Sequence, residues 1–195
     1  MPRRLVYVHG FNSSPASAKA QVLRERLGGL GRGAEFRCPA LSPWPARAAA
    51  DLEQAVEGCA SRDVTLIGSS LGGFYATWLA ERGLFRAVLI NPAVRPSELF
   101  QPFLGPQKNL YTGDEYELTE RHLRELRALE VEAITRPERY LLLVTTGDEV
   151  LDYRRAVEKY RGARRIEVPG GDHGFAMFAD YLDLILDFAD AWQKK

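Results

Sequence analysis

Histidine, cysteine and methionine are all scarce in this chain: three, two and two residues among 195. Cys38 and Cys59 form no C-x-x-C pair and have no clustered histidines near them, so neither a metal site nor a dithiol redox centre is expected. Two scattered thiols suit a reducing compartment. No sign of charge is in excess: 26 Lys and Arg balance 26 Asp and Glu. A nucleic-acid footprint would show as a basic surplus, so no nucleic-acid partner is expected. Long apolar runs are missing too. None reaches membrane-spanning length, so no membrane partner is expected. The run LVYV near the start is too short for a signal-peptide core, and a cytoplasmic location is expected. Lysine is confined to Lys19, Lys108, Lys159, Lys194 and Lys195, a bias that reads as genome composition. The sequence carries no signal of oligomeric state.

What is present is rhythm. Short apolar runs alternate with longer amphipathic ones. Strands are expected over residues 3–10, 34–39, 63–69, 86–92, 140–148 and 164–172. Val22, Leu23, Leu27 and Leu30 recur at helical spacing from about Ala18, and further helices are expected over 46–60, 71–83 and 177–192. Alternating strand and helix implies a mainly parallel sheet covered on both faces. The expectation is one α/β domain over residues 1–195, with six strands ordered 2-1-3-4-5-6. Residues 93–138 break the rhythm. They show no strand, only a stretch rich in proline and aromatics and then a helix near 119–134. A connection of this length in a compact domain is usually functional, and it reads as a cap insertion after the fourth strand.

The stretch LIGSSLGGF, Leu66 to Phe74, holds the pattern G-x-S-x-G, with Ser70 at its centre between Gly68 and Gly72. Apolar residues precede it and a helical pattern follows. In such a turn the serine stands at a strained apex, and residues two before and two after come too close for side chains. Ser69 lacks that framing, because Ile67 and Leu71 occupy the same offsets. Ser70 is the candidate nucleophile. The Leu71 N–H opens the helix and is a candidate donor to a developing oxyanion.

A serine needs a base. His122 sits among charges on the expected insertion helix. His9 ends the first strand, where it suits loop ordering. His173, in PGGDHGF, follows the last strand and so completes the order nucleophile, acid, histidine. The base in turn needs a carboxylate. Asp148 comes first after Gly147 at the end of the fifth strand and is the expected partner. Glu149 and Asp152 follow it as alternatives, Asp152 with a helix-capping role open to it. Asp172 adjoins His173 in sequence and reads as a surface residue. A second oxyanion donor is expected from the loop VHGFNSSP, as the Phe11 N–H after Gly10, with Ser13 as a further lining residue.

The chain resembles the YqiA/YcfP-type esterases, a small α/β-hydrolase family. The resemblance rests on YVHGFNSSPASAKA, GSSLGGFYATWLAE, AVLINPAVRP, NLYTGDEYEL, TGDEVLDYRRAVEKY and GGDHGFAMFADYL, and covers nearly the whole chain. It implies a minimal α/β-hydrolase fold with Ser70, Asp148 and His173 as the triad. It also implies hydrolysis of short- to medium-chain acyl esters, or of acyl thioesters. The site as read takes a small-molecule substrate and needs no cofactor or metal, and the sequence leaves open a hydrolase-fold binding protein with incidental turnover, or a peptidase or lactonase on the same scaffold.

His9, Asn91, Arg95 and Tyr111 are the candidate pocket residues. Arg95 lies close to a strand end and suits either an anionic substrate group or a structural ion pair. Phe100, Phe103, Leu104, Leu110, Tyr111 and Tyr116 suit either an acyl pocket or packing of the insertion onto the body. Leu123, Leu126 and Ile134 form a helical stripe that reads as packing.

Overall fold

The computed structural model describes residues 3–191. Trp192, the last apolar position of the expected C-terminal helix, lies outside them. Six strands form the body sheet: β1 (Arg4–Val8), β2 (Phe36–Arg37), β3 (Val64–Ser69), β4 (Arg86–Ile90), β7 (Tyr140–Thr145) and β8 (Arg164–Val168). Their order is β2-β1-β3-β4-β7-β8 and every pairing is parallel. Counting body strands alone, this is the expected 2-1-3-4-5-6. Two short strands in the insertion, β5 (Gly105–Lys108) and β6 (Glu115–Leu118), form a separate antiparallel pair.

The continuous apolar runs are explained by burial on both faces. Alternate residues of a strand face opposite sides. Val6, Val8, Leu66, Leu89, Leu142 and Val144 face one way, toward α2 (Pro45–Val56), α3 (Leu71–Gly83) and α6 (Tyr153–Lys159). Leu5, Tyr7, Ile67, Val88, Ile90, Leu141 and Leu143 face the other way, toward α1 (Ala18–Gly29) and α7 (Leu182–Asp190). Each such aliphatic side chain contributes about 1.5–3 kcal/mol by leaving water. The two layers fix the carboxyl ends of β3, β4 and β7, where the site lies.

Three expectations need correction. The second strand is only two residues, Phe36 and Arg37, paired with Leu5 and Val6. The insertion, expected to be strand-free, contains the β5–β6 pair. Neither GPQK nor EYEL carries an apolar run, so the pairing is set by the turn between them. There Asn109 Oδ1 accepts from the amides of Tyr111 and Thr112 at 2.9 and 3.1 Å, the side-chain mimic of a turn for which asparagine is favoured. The insertion also holds α4 (Pro96–Leu99) and α5 (Glu120–Ala128), and α5 ends before the expected 134. Finally, the C-terminal helix begins at Leu182. The preceding turn, Phe178–Tyr181, is wound more tightly as a 3₁₀ helix. Among the described residues no helix is long and apolar enough to cross a membrane.

Candidate active site

Ser70 sits between β3 and α3 with φ 56° and ψ −124°, a backbone state that few side-chain-bearing residues adopt. The surroundings enforce it. The Ser70 amide donates to the Ile90 carbonyl at 3.0 Å, and the Ser70 carbonyl accepts from Gly73 and Ala93 at 2.9 and 3.0 Å. A side chain at Gly68 would run into the Gly72 carbonyl, and one at Gly72 into the Val8 carbonyl. The flanking glycines thus permit close approach of the turn to itself and of α3 to β1.

The structure brings the three expected residues together. His173 Nε2 lies 2.9 Å from Ser70 Oγ, and His173 Nδ1 lies 2.8 Å from Asp148 Oδ2. A carboxylate only accepts, so Nδ1 carries the proton and Nε2 is left to accept from the serine hydroxyl. The Asp148 side chain is 1% exposed and that of His173 20%. Burial pushes the Asp148 pKa up, but hydrogen bonds from His173 and from the Leu151 and Val150 amides outweigh it and hold Asp148 below its ordinary value. Asp152 accepts from the Arg154 amide and caps α6. Glu149 accepts from the His173 amide at 3.0 Å and so braces the histidine loop.

Asn91 was expected in the pocket. It is instead 2% exposed and ties three segments together. Its amide group donates to Thr145 Oγ1, the Asp172 carbonyl and the His173 carbonyl at 3.0–3.2 Å, and its Oδ1 accepts from the Thr145 amide at 2.9 Å. β4, β7 and the histidine loop therefore share one side chain.

The amides of Leu71 and Phe11 make no hydrogen bond within the described residues. Leu71 begins a helix of 13 residues, whose dipole adds positive potential at that end. Gly10 lies against the serine: a Cβ there would stand 3.3 Å from Ser70 Cβ. His9 orders this loop from below. Its Nε2 accepts from the Leu41 amide at 3.1 Å, and burial lowers its pKa, leaving it neutral. Asn12 ties the loop to the insertion. It exchanges side-chain hydrogen bonds with Tyr116 and Gln107 at 2.8 and 3.2 Å, and its carbonyl accepts from the Leu110 amide at 3.0 Å. Phe11 packs on Phe100 with ring centroids 4.6 Å apart. The sequence offered no signal for Asn12, whose partners are remote in the chain, and offered Glu149 only as an alternative to Asp148, not as a brace for the histidine loop.

A cavity of about 450 Å³ opens over Ser70 and His173. Leu99, Phe100, Phe103, Tyr111, Val150 and Leu151 give it an apolar side, and Ser13 lines it as well. Of the four candidate pocket residues only Tyr111 lines it. His9 lines a smaller chamber of about 190 Å³ behind the Phe11 loop. Arg95 faces a separate polar cleft with Glu98 and Glu130, at 3.5 and 3.7 Å. The ion-pair alternative describes it. His122 is buried against Trp44, with ring centroids 3.9 Å apart, and its Nδ1 helps cap α5. Among the described residues no group of three or more His, Cys, Asp or Glu side chains is placed to hold a metal ion.

A parallel sheet with a strained serine at a strand–helix turn, and an acid and a histidine on later strand-end loops, defines an α/β-hydrolase fold. Solved structures agree. A putative hydrolase from Agrobacterium vitis S4 is 17% identical, with a TM-score of 0.69 over 97% of this chain and 88% of that one. Mouse alpha/beta hydrolase domain-containing protein 10 is 16% identical, with a TM-score of 0.71 over 96% and 89%. A monoacylglycerol lipase from Paleococcus ferrophilus is 17% identical, with a TM-score of 0.66 over 98% and 97%. Residues 4–190 match the family described as Uncharacterised protein family (UPF0227), and the chain belongs to it, the family of the YqiA/YcfP-type esterases indicated by the sequence resemblance.

Proposed function

We propose that the protein is a serine hydrolase that cleaves short- to medium-chain acyl esters, or acyl thioesters, through an acyl-enzyme on Ser70. The observation that carries this reading is the unbroken chain Ser70 Oγ, His173, Asp148 at 2.9 and 2.8 Å, opening on a largely apolar cavity. Ser70 Oγ attacks the acyl carbonyl carbon as His173 Nε2 takes its proton. Asp148 holds the imidazole in the required tautomer and stabilises its cation. The free Leu71 and Phe11 amides receive the oxyanion. His173 then returns the proton to the leaving oxygen or sulfur, and water, activated by the same nitrogen, releases the acid.

The acyl chain lies along Phe100, Phe103 and Tyr111. The similarity to a monoacylglycerol lipase supports an acyl substrate at the level of fold. The test is Ser70→Ala against a panel of esters, thioesters, amides and lactones of increasing acyl length. Turnover should drop by about 10⁴-fold or more with the protein still folded, and a fluorophosphonate should label Ser70 in the parent protein alone. Ester hydrolysis at the parent rate in pure, folded Ser70→Ala protein would sink the assignment.

A further inference from the structure

The first turn of α1 opens into the cavity that holds Ser70, through Ser17, Ala18 and Lys19. Ser17 precedes the helix, a position where a serine hydroxyl ordinarily accepts from a free amide of the first turn. Here it makes no such capping bond. Its Oγ is buried without a hydrogen-bond partner, in a residue only 8% exposed. The Tyr7 phenol lies beside it and stays protonated, because burial pushes its pKa up. The amides of Ala18 and Lys19 are likewise unspent within the described residues. The end of a helix of this length, 12 residues, carries roughly half a positive charge.

Lys19 adds a whole charge. Its Nζ donates to the Gly174 carbonyl, next to His173, which leaves two ammonium protons for another acceptor. It makes no ion pair among the described residues. The acid that faces it, Asp172, is turned into its own loop, where Oδ1 accepts from the Ala176 amide at 3.4 Å. One cavity therefore has an apolar wall from the insertion and, on the α1 side, an uncapped helix end, a buried hydroxyl that makes no capping bond and lies beside the Tyr7 phenol, and a Lys19 ammonium that faces Asp172 without a close ion pair.

We propose that the substrate is an ester bearing a carboxylate, which docks at the first turn of α1 within reach of Lys19 Nζ and the Ala18 and Lys19 amides, over the Ser17 hydroxyl. A carboxylate fits better than a dianionic phosphate, because one ammonium and a helix end, with Asp172 close behind, balance a single negative charge. This rests on the ester-hydrolase reading above. Of the two roles open to Arg95 in the sequence, the anion-binding one thereby falls to α1, since Arg95 faces a separate cleft.

Two measurements test it. The first is the ratio of kcat/KM for monomethyl glutarate to that for methyl pentanoate, its neutral counterpart. The parent protein should favour the hemiester at least tenfold, Lys19→Met should reduce that ratio about tenfold, and Lys19→Arg should restore most of it. The second is calorimetric binding of monomethyl glutarate to Ser70→Ala protein, with and without Lys19→Met, which needs no turnover. Hydrolysis of both esters at equal efficiency, with no Lys19-dependent binding, overturns the anion site and leaves the hydrolase reading intact. Lys19-dependent binding without hydrolysis of either ester keeps the anion site and turns the failure on the hydrolase reading, which the Ser70→Ala substrate panel then decides.

Discussion

Every residue of β3 and of β7 is buried, whereas the paired strands of the insertion, β5 and β6, have only Leu118 buried. Phe103, Leu110 and Tyr111 in the insertion are 55%, 82% and 49% exposed. The body places Ser70 and Asp148 by dense apolar packing, in which a small displacement costs contacts on both faces of a sheet. The base of the insertion is anchored in the same core, through Leu118, Leu123 and Leu126 of β6 and α5, whereas its β5–β6 arm is held by polar ties through Asn12, and Phe100 by its contact with Phe11. Position is thus assigned to the rigid region, and the shape offered to the substrate to a region that can vary at lower cost in stability. Between them lies the histidine loop, tied to the body by Asn91 and Glu149.

Substitutions in the three regions should separate these roles. Asp148→Asn acts on the rigid region and should have the largest effect, a fall in kcat of about 10³–10⁴-fold, because Nδ1 loses its charged acceptor. It should also change the acid limb of stability. The folded pKa of Asp148 is held below its ordinary value of 3.8. Its stabilising contribution is therefore full above that value and lost as pH falls through the lower folded value. Urea melts from pH 7 to pH 3 should show the stability gap between parent and variant closing at the acid end; a constant gap would contradict the assignment. Asn91→Ala comes next. It removes buried hydrogen bonds from three segments and should cost about 2–3 kcal/mol, with kcat falling about tenfold as the His173 loop loosens. Stability loss without any kcat loss would show that Glu149 and Thr145 hold the loop without Asn91. Tyr116→Phe is the smallest. Removing its bond to Asn12 should cost under about 1 kcal/mol yet lower kcat a few-fold, because Asn12 holds the loop that carries the Phe11 amide. An unchanged kcat would mean that the Tyr116 bond does not position the Phe11 loop, the remaining ties through Gln107, Leu110 and Phe100 being sufficient.

The centre of the body was readable because β1, β3, β4 and β7 are nearly unbroken apolar runs and its turns are marked by glycine, whereas the edge strands β2 and β8 carry no such run. GSSLG, TGD and GGDH each fall at a strand end, and the parallel order follows from the alternation with helices. The β5–β6 pair was not readable, because GPQK and EYEL owe their pairing to the Asn109 turn rather than to any apolar pattern. Arg95 was misplaced by its nearness in sequence to the end of β4. Its left-handed backbone, φ 54°, starts a new turn there, and its side chain meets Glu98 and Glu130 in another cleft. Asn91 drew attention by position, but its role needs the carbonyls of Asp172 and His173, which are remote in the chain. Lys19 read only as part of a helix start. Periodicity reports which face of a helix is buried, not which cavity its first turn enters.

The contact between the tilted rings of Phe11 and Phe100 has a consequence for how such a protein diversifies. Under the proposed function, the ring that lines the acyl cavity presses on the residue assigned to supply an oxyanion amide, so a change in substrate choice would carry over to rate. On that reading specificity and turnover share a hinge pin. An exchange of insertions between relatives should succeed only when the segment around Phe11 and Asn12 travels with the donor piece.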